Sequence, residues 1–179
     1  MSFLGQLREK AHQHHLKKRL KNHQVLHSTV SFTQAKKIGI LFEASDIENY
    51  GIVRKYAESY KKKGKTVKIL GYIDTNSPNP SVGFDFFSKK DINWMLKPNA
   101  HSVEQFINHD FDILINAYLQ PVIPLLYIST FSKAQLRVGL YYPDHMNIAD
   151  MMITVNGEAN LDNLFREVEH YLNIFHHHE

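Results

Sequence analysis

The chain has 179 residues, no cysteine and a formal net charge of +3. This length suits one domain with a full hydrophobic core, and the lack of cysteine excludes disulfides, thiol catalysis and thiolate metal sites. No apolar run is long enough to cross a bilayer and no secretory signal peptide is present, so we expect a cytoplasmic protein.

The positive charge is concentrated near the N-terminus. Residues 1–37 contain eight Lys/Arg and one Glu, whereas residues 38–179 contain thirteen Lys/Arg and seventeen Asp/Glu. We therefore predict a basic helical arm at 1–35 and a single Rossmann-like α/β domain at 36–179. The arm has six cationic side chains for an anionic macromolecule, either nucleic acid or an acidic protein: Arg8, Lys10, Lys17, Lys18, Arg19 and Lys21. A solvated helix that packs its few apolar residues on the domain explains the same charge pattern.

The first core elements follow the arm directly. A buried strand is predicted at Ile38–Phe42, because this run is apolar and has no polar alternation. Asp46 is expected to cap a helix that Gly64 ends, and a second strand is predicted at Thr66–Ile73. Strand, helix and strand in this order form a βαβ unit.

The middle of the chain is harder to interpret. A short edge strand is predicted at Phe84–Phe87. The segment Lys89–Pro98 fits either one helical turn or a strand, and its Trp94 is expected to pack this loop on the body. Asn99 or Ser102 is expected to cap the next helix.

An apolar strand and an apolar helix form the centre of the sequence. The strand is predicted at Phe111–Tyr118, and the helix that begins at Pro121 has too little polar relief for a surface helix, so it should be mostly buried. A further strand is predicted at Leu136–Tyr141. Because crossover connections keep such strands together, Ile38–Phe42 and Ile113–Asn116 should be adjacent, parallel and central.

The last elements are a strand at Met151–Val155 and an amphipathic helix that Asn160 caps. Strands and helices alternate along most of the chain, a pattern typical of α/β proteins. We therefore predict a three-layer Rossmann-like sandwich with a mainly parallel sheet of five to seven strands and an appended basic N-terminal helix.

The sequence contains no G-x-G-x-x-G, Walker A, G-x-S-x-G or H-E-x-x-H motif, and no cofactor or metal site is predicted. One hypothesis is a non-catalytic module that binds a macromolecule, which the missing motifs and the separate basic arm favour. The alternative is a binding protein or enzyme with a small-ligand or nucleotide-sugar-related site at the carboxyl edge of the sheet. The candidate side chains for that site are Glu43, Ser45, Asp46, Asn116, Tyr118, Asp144 and Asn156. Each of them also has an ordinary role in loops, such as helix capping.

Two family resemblances rest on the segment FDILINAYLQPVIPLLYISTFSKAQLRVGLY, residues 111–141, and on the elements around it. The order of strands and helices resembles a small uncharacterised bacterial family that is known only as a domain of unknown function. The strand, apolar helix, Ser-x-Ala turn and Arg-Val-Gly strand are similar to the N-terminal Rossmann-like half of the heptosyltransferase-type glycosyltransferases. This likeness implies a fold and no activity, because those enzymes have a Gly-rich loop with an Asp, of which only Asp46 matches here.

Overall fold

The computed structural model describes residues 30–77, 83–143, 148–155, 157 and 159–174. The six cationic candidates of the arm lie outside these described residues, as do two of the ligand candidates, Asp144 and Asn156. Within the described residues, none of the helices is long and apolar enough to cross a membrane.

Six strands and four α-helices follow one another along the described residues. The strands are β1 (Lys37–Glu43), β2 (Thr66–Ile73), β3 (Asp85–Ser88), β4 (Ile113–Ala117), β5 (Leu136–Leu140) and β6 (Met151–Ile153). The helices are α1 (Ile47–Lys62), α2 (His101–Ile107), α3 (Ile123–Phe131) and α4 (Leu161–Ile174). A single turn of 3₁₀-helix, Lys89–Asp91, follows β3.

The strands form one sheet in the order β3-β2-β1-β4-β5-β6, and all neighbours are parallel. Ile38 lies opposite Ile113 and Leu41 opposite Asn116, so β1 and β4 are neighbours at the centre of the sheet. This is the strand order of the Rossmann fold. The chain adds strands toward one side of β1 as far as β3, and then toward the other side from β4 onwards, so the order reverses between β1 and β4. The predicted Rossmann-like sandwich and the predicted pairing of the two central strands are therefore confirmed, whereas the appended N-terminal helix was predicted for residues outside the described ones.

Helices cover both faces of the sheet. α1 and α4 pack together on one face, and α2 and α3 pack together on the other. Between α1 and α4 the rings of Tyr56 and Phe165 stack with centroids 4.4 Å apart. On the other face the Phe106 ring of α2 lies 4.8 Å from the ring of Phe111, which precedes β4. Because the strands are all parallel, they begin at one end of the sheet and finish at the other. We call the end where the strands begin the amino edge and the end where they finish the carboxyl edge.

Two predicted helix caps are present. The Asp46 carboxylate accepts a hydrogen bond from the Glu48 amide at 2.8 Å at the start of α1. The Asn160 side chain accepts one from the Asn163 amide at 2.8 Å at the start of α4. Each cap satisfies a backbone donor that the first helical turn leaves unpaired, so these two caps could be read from sequence.

The predicted caps of α2 were wrong. Ala100 occupies the N-cap position, and no side chain makes a capping bond there. Ser102 lies inside the helix and donates its hydroxyl to the Phe86 carbonyl of β3 at 3.3 Å. The serine therefore joins α2 to the sheet, a tertiary contact that competes with capping.

The central apolar helix is buried as predicted. α3 begins at Ile123, with Pro124 in its first turn, and every residue from Pro124 to Phe131 is buried. Pro121, the predicted first residue, lies before the helix, which starts two residues later than predicted. Because Pro124 lacks an amide hydrogen, it fits the first turn, where no intrahelical acceptor is available.

The prediction for Trp94 was also wrong. Its side chain is 68% exposed. The surrounding loop is closed by Asn93, whose side-chain oxygen accepts hydrogen bonds from the amides of Met95 at 2.9 Å and Lys97 at 3.0 Å. These polar bonds close the loop on itself, and Ile92 packs the loop against the core, so the indole is not needed for that contact.

The last residues before β1 pack on the sheet and its helices. Phe32 and Ala35 are buried, and the Phe32 ring lies 5.0 Å from the Tyr60 ring of α1. The Lys65 ammonium donates hydrogen bonds to the carbonyls of Phe32 and Ala35. The Phe32 amide also donates to the Leu172 carbonyl of α4 at 3.4 Å. The chain therefore enters the sheet at the amino edge, beside the end of α4.

Candidate functional site

A cavity of about 660 Å³ lies at the carboxyl edge, where β1 and β2 end. The strand order reverses between β1 and β4, and open α/β sheets bind ligands in the crevice outside the carboxyl ends at this switch point. The cavity is lined by Glu43, Tyr72, Asp74, Asn76, Lys89, Ile92, Leu96, Pro121, Val122, Ile123 and Pro124. Of these residues, Asp74, Asn76, Lys89 and Pro121 are exposed, so the cavity opens to solvent.

One wall of the cavity is a polar network. The Tyr72 hydroxyl donates to the Asp74 carboxylate at 2.7 Å, and the Lys89 ammonium lies 3.0 Å from the same oxygen. The hydrogen bond from Tyr72, and then the contact with Lys89, lower the pKa of Asp74, so this carboxyl group is ionised at neutral pH. The Ser45 hydroxyl accepts from the Asp74 amide at 3.0 Å, and the Ser45 amide donates to the Glu43 carboxylate at 3.2 Å. The wall thus fixes two carboxylates and one ammonium group.

The other wall is apolar. Ile92 and Leu96 come from the loop after the 3₁₀ turn, and residues 121–124 come from the start of α3. Leu96 has a φ of 62°, a left-handed conformation that costs roughly 1–2 kcal/mol for a residue with a side chain. A bridge between Ile92 and Pro98 holds the base of the loop. The bonds around Leu96 therefore maintain a strained backbone that brings this side chain to the cavity.

The donors and acceptors of the cavity suit hydrogen bonding to an organic ligand. Glu43 and Asp74 supply carboxylate acceptors, Lys89 supplies an ammonium donor, and Asn76 supplies both. In the part of the chain that the structure describes, no three His, Asp or Glu side chains lie close enough together to hold a metal ion. The arrangement can orient hydroxyl or amine groups on one side and an apolar surface on the other.

The residues predicted at the carboxyl end of β1 take different places in the structure. Glu43 lines the cavity. Ser45 connects Glu43 to Asp74 through the two hydrogen bonds above, and it does not line the cavity itself. Asp46 caps α1 and is likewise absent from the lining. Of this group, the structure therefore brings Glu43 and Ser45 together at one site.

Asn116 and Tyr118 are buried at the end of β4 and do not line the cavity. The two polar side-chain atoms of Asn116 and the Tyr118 hydroxyl have no hydrogen-bond partner among the described residues. Asn116 packs on Gly139, where an added Cβ would lie 2.8 Å from the Asn116 Cβ. The Tyr118 ring stacks on the Tyr142 ring, with the centroids 6.3 Å apart. Both side chains take part in packing between β4 and β5.

Sequence reasoning missed Tyr72, Asp74 and Lys89. Asp74 directly follows β2, so the rule that selected Glu43 at the end of β1 also applies to it. Lys89 directly follows β3 in the same way. What the sequence did not reveal was that β1, β2 and β3 are consecutive neighbours, so their carboxyl ends meet in one place.

The strand order and the cavity at the switch point define the chain as a Rossmann-like α/β protein with a candidate ligand site at its carboxyl edge. The chain belongs to a family of unknown function, DUF6913, whose family model matches residues 8–175. No curated protein and no solved structure matches the chain. The predicted membership in a family of unknown function is confirmed, whereas the bacterial origin of that family and the likeness to heptosyltransferases stay predictions.

Proposed function

We propose that the protein binds a small polar molecule in the cavity at the carboxyl edge. The observation that carries this proposal is the position of the cavity, outside the end of β1 and against the start of α3, at the point where the strand order reverses. Its volume of about 660 Å³ falls within the range of roughly 300–1,000 Å³ that is usual for small-molecule sites. The location and the volume of the cavity are therefore both those of a small-molecule site.

The two walls restrict the chemistry of the ligand. Glu43 and Asp74 accept hydrogen bonds and carry negative charge, so they favour hydroxyl or amine donors. Ile92, Leu96 and Val122 offer an apolar surface opposite them. A ligand that fits has one polar edge and one apolar face and is neutral or cationic, as are sugars, nucleosides and amines.

Phosphorylated ligands fit this site poorly. Many Rossmann-like proteins hold a phosphate at the N-terminus of the first helix, where backbone amides and the helix dipole attract an anion. In this chain the Asp46 carboxylate already accepts the Glu48 amide there, and Glu48 adds a second negative charge to the first turn. Glu43 and Asp74 would repel a phosphate further. We therefore narrow the nucleotide-sugar hypothesis to unphosphorylated sugar or nucleoside groups.

A thermal-shift screen tests this proposal. Sugars, nucleosides and amines are added to the full chain, each beside its phosphorylated counterpart. A ligand at 100 times its Kd stabilises the folded state by about 2.7 kcal/mol, and for a chain of this size each kcal/mol raises Tm by about 2–4 °C. We expect at least one unphosphorylated compound to raise Tm by about 5–10 °C.

Two variants locate the binding site. Glu43→Gln and Asp74→Asn keep the shape of each side chain and remove its charge, so either should reduce the shift. Asp85→Asn is the control, because Asp85 is an exposed carboxylate at the start of β3 and outside the cavity lining. A shift that survives both cavity variants, or a phosphorylated compound that outperforms its parent, contradicts the proposal.

We further propose that the N-terminal arm recruits an anionic macromolecule. The supporting observation is the charge of residues 1–37, which contain eight Lys/Arg and one Glu, whereas the rest of the chain has a net negative charge. The family match begins at residue 8, so it includes the six cationic candidates of the arm. Charge complementarity of this kind draws nucleic acids and acidic proteins.

Neutralising the arm tests this second function. The six cations Arg8, Lys10, Lys17, Lys18, Arg19 and Lys21 are changed to Gln in the full chain. Binding to immobilised nucleic acid or polyglutamate at low salt should then fall by more than tenfold, and the binding of the unchanged protein should weaken steeply as salt rises, because counterions are released. Glu43→Gln should bind as the unchanged protein does. Equal binding by the neutralised chain refutes a role for the arm.

A further inference from the structure

The amino edge carries a cluster of exposed lysines that neither proposal above uses. We call it the lysine edge: Lys36, Lys37, Lys61, Lys62, Lys63, Lys68 and Lys133, all of which are exposed. Lys36 and Lys37 begin β1, and Lys68 lies in β2 opposite Gly39. The others belong to the last turn of α1, the residue after it and the loop between α3 and β5, so helix ends and strand starts place them on one side of the molecule.

Few acidic groups offset this charge. The Asp112 carboxylate accepts the amides of Lys36 and Lys37 at 2.7 and 2.8 Å, so the backbone already occupies one of its oxygens. Glu169 lies 3.6 Å from Lys63. Asp110 lies beside β4 at this edge, and Glu58 of α1, which pairs with Arg54, is also attracted by Lys61 and Lys62. Among the described residues, the other six lysines of the lysine edge form no ion pair, so most of their charge faces solvent.

The charges of the lysine edge act on two titratable neighbours, His109 and Lys65. Burial lowers the pKa of His109, and the charges of Lys68 and Lys37 lower it further, while Asp110 opposes them. Burial also lowers the pKa of Lys65, with Lys63 adding to the effect and Asp112 opposing it. Repulsion between positive groups destabilises the free protein and is relieved when an anion binds.

The two ends of the sheet differ in sign. At the carboxyl edge Glu43, Asp46, Glu48 and Asp74 are the acidic groups next to β1 and β2, whereas two lysines follow β3, Lys89, which is paired with Asp74, and Lys90. At the amino edge lysines dominate, and residues 30–36 pack at this same edge. The sequence is basic near its N-terminus and acidic elsewhere, and the folded body likewise has one basic edge and one acidic edge.

We propose that the lysine edge binds the phosphate backbone of a nucleic acid duplex. The cluster extends over β2, β1, β4 and β5, three strand spacings of ~4.8 Å, or about 15 Å. A duplex carries one phosphate charge per ~1.7 Å of its axis, so this length offers more phosphates than there are lysines. Lysines bind phosphate as point charges without the fixed fork geometry of arginine, so binding should be independent of base sequence. This inference uses residues of the folded body and holds with or without the arm.

The test compares two triple variants of the full chain with equal loss of charge. The edge variant is Lys37→Gln, Lys61→Gln and Lys68→Gln, and the control is Lys55→Gln, Lys90→Gln and Lys97→Gln, whose side chains lie away from the amino edge. The probe is a short fluorescently labelled DNA duplex, and anisotropy gives Kd between about 50 and 200 mM salt. The edge variant should bind at least tenfold more weakly at low salt, and its log–log salt slope should fall by about 2–3, since each phosphate contact contributes ~0.9. The control should change Kd by less than threefold.

Several results would overturn the proposal. Equal losses in both triple variants would show a general effect of net charge, and no duplex binding at low salt would exclude the surface. Binding to polyglutamate or to phosphatidylserine vesicles without binding to the duplex would assign a different partner. If the chain with six neutralised arm cations loses all duplex binding while the edge variant loses none, the arm proposal stands and this one fails. Melting curves of each variant verify folding, which we expect to persist because the three lysines of the edge variant are exposed, as are Lys55 and Lys90 of the control.

Discussion

Replacing Leu126 by aspartate should prevent the protein from folding. Leu126 is 5% exposed, and it lies in α3, whose residues 124–131 are all buried. The substitution places an unpaired carboxylate among apolar side chains, which costs several kcal/mol, against a total folding free energy of about 5–15 kcal/mol. Circular dichroism and thermal denaturation of the purified variant should show no cooperative transition near that of the unchanged protein.

Leu126→Met is the matched control for this prediction. Methionine has a similar volume and no charge, so its cost should stay below about 1.5 kcal/mol, or a few degrees in Tm. A soluble Leu126→Asp variant that melts within a few degrees of the unchanged protein would show that the aspartate finds water or a partner at this position. The buried assignment of α3 would then be incorrect.

Replacing Asp150 by alanine should cost about 3–5 kcal/mol, the second largest effect that we expect. The Arg137 guanidinium lies 2.7 Å from one carboxylate oxygen of Asp150, and its Nε donates to the other at 3.0 Å. The same guanidinium donates to the carbonyls of Ser129 and Thr130 at 3.3 Å each. Removing Asp150 leaves a buried charge without its counter-ion, because Arg137 is only 7% exposed. Chemical denaturation measures the loss directly.

A double-substituted chain separates pairing from packing. Arg137→Met removes the charge that Asp150→Ala would leave unpaired, so the double variant should be more stable than Asp150→Ala alone. If the double variant is as unstable as the sum of the two single changes, the two side chains do not interact as a pair. A stability loss below about 1 kcal/mol for Asp150→Ala would also contradict the prediction, because exposed ion pairs contribute about that much and the pair would then behave as an exposed one.

The sequence predicted the centre of the fold because local signals and burial agree there. Ile38–Phe42 and Ile113–Asn116 are apolar runs too short for helices, and both occupy the sheet positions with neighbours on either side. Asp46 and Asn160 are caps whose bonds join residues two or three positions apart, so no distant contact decides them. Local patterns of this kind predict the structure correctly because no tertiary contact favours a different conformation there.

The site could be predicted only in part, because it depends on which strands become neighbours. Glu43 was found from its place after β1, whereas Asp74 and Lys89 join it only because β2 and β3 lie on the same side of β1. Trp94 was misplaced because the loop is closed by Asn93, a bond pattern that many Asn-containing segments could make. The places of Asp74, Lys89 and Trp94 depend on contacts formed by folding, which the residue types alone do not reveal.

The place of β1 in the sheet also governs how the chain acquires its structure during synthesis. β1 is made first among the six described strands, yet one of its two partners is β4, and the Lys37 amide and the Asp112 carboxylate that meet there are 75 residues apart. At about 5–20 residues per second, a ribosome exposes one open edge of β1 for about 4–15 seconds before that partner emerges. An apolar strand with an unpaired edge is a template for other chains. Association between newly made chains is therefore most probable in this interval, and refolding should be slow compared with that of helical proteins of the same size.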